Sequence, residues 1–224
     1  MSELIWKESF KILDQLKKNN NREWFEDHKI EFKKHQDFVK KFFQEVERKM
    51  QSFDDISGMK MFRIYRDVRF SNDKIPYKTH FAASFTRRKP ELRGGYYVHF
   101  EPGNSFLATG FWNPEKEDLL RIRKEIELDG EKFSKIVQNK KIVSSWGNLK
   151  GDELKTAPKG FDKNHDHIEF LRLKQFIYSK QIPDEMVFSS GLELEILNSF
   201  KAIRPFFDYM SEVLTTNING ESII

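Results

Sequence analysis

The sequence predicts an α+β protein with a central, mainly antiparallel sheet flanked by amphipathic helices from the N- and C-terminal parts. Apolar residues recur at helical spacing near both ends of the chain. Short segments typical of strands, separated by turns, occupy residues 62–112, and a further strand is predicted near 171–178. The connections within 62–112 are too short for crossover helices, which argues against a parallel sheet.

The helices are predicted from their apolar spacing and from the residues at their ends. One helix is expected at residues 8–18, and the asparagines at 19–21 end it and cap the next helix, which begins at residues 22–25. Apolar spacing over residues 29–50 predicts a core-facing helix there. Near the C-terminus, apolar residues at intervals of three and four predict a long core-facing helix. Pro205 should kink or divide that helix, because proline has no amide donor.

The stretch from Phe62 to His80 is predicted to be a strand over 62–70, a turn at 71–73 and the start of a returning strand, with residues 52–58 as the connector before it. Side chains alternate between the faces of a strand. One face would then carry Phe62, Ile64, Arg66, Val68 and Phe70, and the other would carry Arg63, Tyr65, Asp67 and Arg69. The second face is more charged than packing requires, so we expect a site there.

A second predicted hairpin joins a strand at 96–100 to a strand at 106–112 through Pro102-Gly103-Asn104. His99 and Glu101 point to the same side of the first strand, and His80 joins them if its strand is a neighbour. Such a set is suited to proton transfer, to metal binding or to a purely structural hydrogen bond. We expect no metal, because the nearby cations would repel a divalent ion and no His-x-x-x-His pair is present.

Positive charge is concentrated in one region. Between Lys60 and Gly95 there are ten lysines and arginines against three acidic residues, a net of +7, whereas the whole chain carries +4. Such a patch favours an anionic small molecule, a phosphate group or nucleic acid. The candidate anion-binding residues are Arg63, Arg66, Arg69, Lys74, Lys78, Tyr65, Tyr77 and Arg172, and the candidate catalytic residues are His80, His99, Glu101 and Asp67. Alternatively, Arg63, Asp67 and Arg69 neutralise one another on a solvated face.

Three motifs carry a resemblance to a known family. They are Asn20-Asn21-Arg22-Glu23-Trp24-Phe25, the stretch Phe62–His80, and Gly94-Gly95-Tyr96-Tyr97-x-His99-x-Glu101-Pro102, and Leu171-Arg172-Leu173-Lys174 also fits. Together they resemble the signature of the family named domain of unknown function 2461, and their order and spacing extend from about residue 10 to residue 210. The resemblance implies one domain of mixed helix and sheet. It carries over no catalytic residue, because the family has no assigned activity.

Length and composition limit the number of domains, the kinds of site and the location that are possible. The 224 residues are expected to form a single domain, residues 1–224, and the 22 phenylalanines can supply its core. The absence of cysteine excludes disulfides, thiolate metal sites and a cysteine nucleophile. No apolar run approaches transmembrane length and the N-terminus lacks a signal-peptide pattern, so a soluble cytoplasmic protein without a membrane partner is expected. The sequence indicates neither a cofactor nor an oligomeric state.

Three functions fit these observations. The first is an enzyme that acts on a phosphorylated or carboxylated small molecule, with arginines binding the anion and His80 or His99 acting as acid or base. The second is a non-catalytic module that binds nucleic acid or another anionic partner through cations interleaved with tyrosines. The third is a structural or interaction protein whose charged face is internally paired. Arginines that converge on His99 and Glu101 would favour the first, and full pairing would favour the third.

Overall fold

A computed structural model describes residues 2–217 and 219–224. Five strands form one antiparallel sheet in the order β1-β2-β3-β4-β5, with helices on both sides, so the α+β prediction is confirmed. No helix among the described residues is long and apolar enough to cross a membrane. In chain order the elements are α1 Ser2–Lys18, α2 Arg22–Met50, β1 Ile56–Met61, β2 Phe81–Arg87, β3 Gly95–Phe100, β4 Phe106–Phe111, α3 Lys116–Val137, α4 Lys140–Trp146, α5 Ile168–Leu171, β5 Phe176–Gln181, α6 Asp184–Phe188, α7 Leu192–Ala202 and α8 Arg204–Thr215.

The contacts divide the chain into two compact units. The first contains residues 1–85, 97–107 and 181–197, and the second contains residues 86–96, 108–180 and 198–224. In the first unit, Trp6 packs edge-on against Phe100, and Phe43 stacks on Phe100 with ring centroids 5.5 Å apart. In the second, Tyr96 packs against Phe200 with a centroid separation of 4.6 Å. Aromatic side chains therefore supply much of each core, as the phenylalanine content predicts.

The structure agrees with the predicted cap of the second helix and with the predicted break at Pro205. Asn21 caps α2, because its side chain accepts a hydrogen bond from the Trp24 amide. Pro205 separates α7 from α8 and lies in the first turn of α8, where its missing amide donor costs nothing. The sequence pattern therefore located both the start of the longest helix and the break near the C-terminus.

The prediction of a strand over 62–70 is wrong. The first strand is β1, Ile56–Met61, which begins inside the predicted connector and ends just before residue 62. Residues 62–80 form a long loop with one bridge between Tyr65 and Tyr77. Polar side chains in this loop bond to nearby backbone amides: Asp67 accepts from the Arg69 amide and Asp73 accepts from the Ile75 amide. Such local bonds compete with a strand ladder, which explains why the alternating pattern does not form a strand.

The predicted strand near 171–178 begins later than expected. Leu171 ends the short helix α5, and β5 starts at Phe176. Leu173 makes only an isolated bridge to Glu153. Of the alternating apolar and basic residues at 171–174, the first therefore ends α5, and the others lie in the segment that connects α5 to β5.

Candidate functional site

Two neighbouring strands bring the predicted histidines together in the first unit. His80 lies just before β2 and His99 lies in β3, and their ring centroids are 4.1 Å apart. The alternation of β3 places Tyr97, His99 and Glu101 on one side. The Tyr97 hydroxyl lies 3.0 Å from His99 Nδ1, and His99 Nε2 lies 3.3 Å from Glu101 Oε2. We call His80, His99 and Glu101 the histidine cluster.

Two further side chains hold the Glu101 carboxylate. The Thr79 hydroxyl donates to Oε1 at 2.9 Å, and the Asn104 side-chain amide donates to Oε2 at 2.9 Å. Ser105 Oγ accepts from the Glu101 amide, so the backbone is tied to the same turn. Neither Thr79 nor Asn104 was among the predicted site residues. Their only sequence signals were the position of Asn104 three residues after Glu101 in a turn and that of Thr79 beside His80.

Burial controls the charge of the histidine cluster. It lowers the pKa of His80 to about 4, an effect to which the charge of His99 adds, and it also lowers the pKa of His99. Burial alone would raise the pKa of Glu101, but hydrogen bonds from Asn104, Thr79 and His99 outweigh it, so that pKa lies below its usual value. Near neutral pH the cluster therefore contains two neutral imidazoles and one ionised carboxylate.

Aromatic side chains contact both the histidine cluster and Lys78. Phe106 stacks on the His99 ring at 4.6 Å, and Phe62 packs edge-on against Tyr97 at 5.9 Å. The Lys78 ammonium lies 5.3 Å from the centre of the Phe62 ring. Burial lowers the pKa of Lys78, and the positive charge of Arg63 lowers it further, so these two cations are close enough to repel each other.

The loop at residues 62–80, which we call the arginine loop, neutralises two of its three arginines. Arg69 makes two hydrogen bonds to the Asp67 carboxylate, at 2.9 and 2.6 Å, and Arg66 bonds to Asp73 at 2.6 Å. The Arg69 hydrogen bonds lower the pKa of Asp67, which is held by Arg69 rather than by a histidine.

The other predicted residues of the arginine loop differ in accessibility. Lys74 donates to the Val68 carbonyl at 3.0 Å, and the Tyr65 side chain is half-exposed. Tyr77 is buried and stacks on Phe25 at 4.0 Å, so its ring is part of the core. The charged face predicted from alternation, with Arg63 and Arg69 on it, is thus replaced by local ion pairs and one buried ring.

Arg172 lies in the second unit. Its Nε donates to the Leu154 carbonyl at 2.7 Å, and its guanidinium lies 3.2 Å from the Glu153 carboxylate. These partners fold the segment before α5 onto the segment after it. A further cation of the second unit, Arg87, ends β2 and is fully buried, with a hydrogen bond to the Arg93 carbonyl.

A protein-family model supplies the identity that the motifs indicate. The model described as "Conserved hypothetical protein (DUF2461)" matches residues 8–209. The chain belongs to this family. The part matched by DUF2461 includes both the arginine loop and the histidine cluster. No curated protein matches the chain, and no solved structure matches it.

The arrangement has two chemical capacities. Two neutral imidazoles beside a carboxylate offer lone pairs that can accept a proton or ligate a cation. Lys78 offers positive charge beside them, and Arg63 is close enough to repel Lys78; among the described residues neither cation has a carboxylate within ion-pair distance. An anion bound by these cations would lie next to the reactive groups of the cluster.

Proposed function

We propose that this DUF2461 protein is an enzyme that acts on a small phosphorylated or carboxylated molecule beside the histidine cluster. The observation that carries the proposal is the pair formed by Lys78 and Arg63. Two cations that repel each other and have no carboxylate within ion-pair distance among the described residues favour an external anion, which would reduce the repulsion. Lys78 is the member of this pair that adjoins the cluster, through Phe62 and Tyr97, and its charge also acts on His80.

Each group has a role in this proposal. Lys78 and Arg63 bind the anionic group of the substrate. His80 is the candidate catalytic residue that faces the substrate, because it is only partly buried and no described residue hydrogen-bonds to its ring. Tyr97 and Glu101 hold His99 in place from its two ring nitrogens, so His99 and Glu101 form the fixed part of the cluster.

Binding is tested with a panel of phosphate, sugar phosphates, dicarboxylates and nucleotides in thermal-shift and calorimetric titrations of the metal-free protein. A charge-assisted hydrogen bond contributes about 1.5–3 kcal/mol, so Lys78→Gln and Arg63→Gln should each weaken binding by about 10- to 150-fold. Arg69→Gln is the matched control. It removes one positive charge from the same loop, but Asp67 already engages that charge, so a change below about threefold is expected.

Equal losses in Arg69→Gln and Lys78→Gln would mean that the whole loop acts as a general basic surface, and the specific site would be refuted. Turnover of the ligand found in this way is then followed by mass spectrometry. Conversion by the wild type and not by His80→Ala supports the enzyme. A ligand that binds tightly but is never converted would reduce the proposal to a binding protein.

The arginine loop also supports a second candidate, a module that binds single-stranded nucleic acid. The Phe70 side chain is 95% exposed, Tyr65 is 49% exposed, and the Arg69 guanidinium lies 5.8 Å from the Phe70 ring. Exposed rings beside cations are suited to base stacking and backbone contact. Oligonucleotide binding that weakens steeply with salt and is lost in Phe70→Ala would favour this candidate. Unchanged binding in Phe70→Ala would contradict it.

A further inference from the structure

The histidine cluster has the ligand set of a metal centre as well as that of an acid–base site. One ligand atom from each of His80, His99 and Glu101 lies within 4.8 Å of the others. A tetrahedral zinc ion bound at about 2.0–2.2 Å would separate its ligands by about 3.3–3.6 Å. His99 Nε2 and Glu101 Oε2 already lie 3.3 Å apart, so only His80 has to approach.

The residues around the cluster are those that orient metal ligands. Tyr97 hydrogen-bonds to His99 Nδ1, the ring nitrogen opposite the one that faces Glu101. Thr79 and Asn104 each donate to an oxygen of the Glu101 carboxylate. In metal sites, such partners fix the direction of the imidazole and the carboxylate and raise metal affinity. A purely structural His–Glu bond would not need a third ligand, His80, at its side.

Charge does not oppose a cation as strongly as the sequence suggests. The expectation of no metal rested on nearby cations and on the absence of a His-x-x-x-His pair, but Asp73 and Asp67 neutralise two of those cations, Arg66 and Arg69. Lys78 and Arg63 remain as opposing charges, and the Glu101 carboxylate offsets one of them.

We infer that His80, His99 and Glu101 bind one divalent transition-metal ion of the zinc type. Two nitrogen ligands and one oxygen ligand leave a coordination position open, as in catalytic rather than structural sites. The open position would face a substrate anion held by Lys78 and Arg63, and this part of the inference rests on the proposed function. Metal binding itself does not require that function, because the ligands are complete without a substrate.

The experiment uses the full chain after treatment with a chelator. Calorimetric titration with Zn²⁺ should give one bound ion per chain, and Co²⁺ should produce visible absorption bands of a low-symmetry site. Tyr97→Phe keeps all three ligands and should weaken Zn²⁺ binding by about 10- to 100-fold. His80→Ala and Glu101→Gln, which each remove a ligand, should weaken binding beyond that range. Circular dichroism establishes that each variant is folded.

His28→Gln is the matched control. His28 is also partly buried, but it stacks on Trp24 and bonds to the Trp24 carbonyl without a carboxylate partner, so its loss should leave Zn²⁺ affinity unchanged. Failure of the wild type to bind Zn²⁺ or Co²⁺ would overturn the inference, as would equal binding in His80→Ala and in the wild type. Anion binding by the metal-free protein is measured separately, so a failed metal site and a failed anion site are distinguishable.

Discussion

Asn20 is expected to hold the arginine loop in place, and its removal should open the loop. The Asn20 side-chain amide donates to the Tyr77 carbonyl at 3.0 Å, and the Tyr77 amide donates to Asn20 Oδ1 at 3.1 Å. Tyr77 is 4% exposed, so Asn20→Ala leaves a backbone donor and a backbone acceptor without partners in a largely buried position. Each unpaired group costs about 1–3 kcal/mol. Because the contacts are only partly buried, we expect a total of about 2–3 kcal/mol.

Hydrogen exchange measures this cost where it arises. The Arg66 amide bonds to the Pro76 carbonyl and the Lys78 amide bonds to the Ile64 carbonyl, so both amides report opening of the loop. A loss of about 2–3 kcal/mol should speed their exchange by about 30- to 150-fold where local opening limits it. Urea unfolding followed by circular dichroism gives the global part of the loss. Anion affinity should fall as well, because Lys78 follows Tyr77 directly.

Neighbouring asparagines supply the controls. Asn21→Ala removes the α2 cap and should cost about 1 kcal/mol without selective exchange in the arginine loop. Asn19→Ala removes one exposed bond to the Gln15 carbonyl and should cost less than about 0.5 kcal/mol. Asn20→Asp keeps the acceptor but places a carboxylate oxygen against the Tyr77 carbonyl, so it should be no better than alanine. Exchange rates for Arg66 and Lys78 that are unchanged in Asn20→Ala would refute the reasoning.

Three further predictions concern the second unit. Gly110→Ala should prevent stable folding or cost more than about 4 kcal/mol, because its Cβ would lie 2.1 Å from the Phe176 carbonyl oxygen and the backbone φ is +131°. Gly58→Ala is the control, since a Cβ there meets nothing within 4 Å. Its free energy of unfolding, measured in urea, should stay within about 1 kcal/mol of the wild type. Tyr178→Phe should be neutral or stabilising, because the buried Tyr178 hydroxyl has no partner among the described residues. Burial raises the pKa of Tyr178, so its contribution to stability is full below pH ~10 and is lost as the pH rises above that. The melting temperature of Tyr178→Phe should therefore fall less at alkaline pH than that of the wild type. An identical fall in both proteins would contradict the assignment. Arg87→Met should cost about 3–5 kcal/mol, because it leaves the Arg93 carbonyl and Ser211 without that donor. Lys89→Gln changes an exposed neighbour and should leave the unfolding midpoint unchanged. Equal unfolding midpoints for the two variants would show that the buried guanidinium contributes nothing.

Local sequence patterns determined the helices and one half of the candidate site. Helical spacing, the Asn21 cap and the break at Pro205 depend on residues within a few positions of one another, so they can be read without the fold. The same holds for His99 and Glu101, because alternation along β3 places them on one side whatever the neighbouring strand is. The family motifs covered the same region, and the family model confirms the resemblance over residues 8–209.

The arginine loop shows why local pattern was insufficient elsewhere. Alternating charged and apolar residues predicted a strand with Arg63 and Arg69 on its charged face. Instead, Asp67 and Asp73 accept hydrogen bonds from loop amides and also pair with Arg69 and Arg66. Strand ladders and side-chain-to-backbone bonds compete for the same amides, and sequence alternation does not reveal which of them prevails.

Only the tertiary structure decided which predicted site residues act together. It brought His80 beside His99 through the pairing of β2 with β3, buried Tyr77 against Phe25, and placed Arg172 in the second unit with Glu153. These outcomes depend on contacts between residues far apart in the chain. The sequence by itself predicted that His99 and Glu101 lie on one side of a strand that follows a positively charged segment. The folded chain decided that, among the described residues, Lys78 and Arg63 have no carboxylate within ion-pair distance, because Asp73 and Asp67 pair with Arg66 and Arg69.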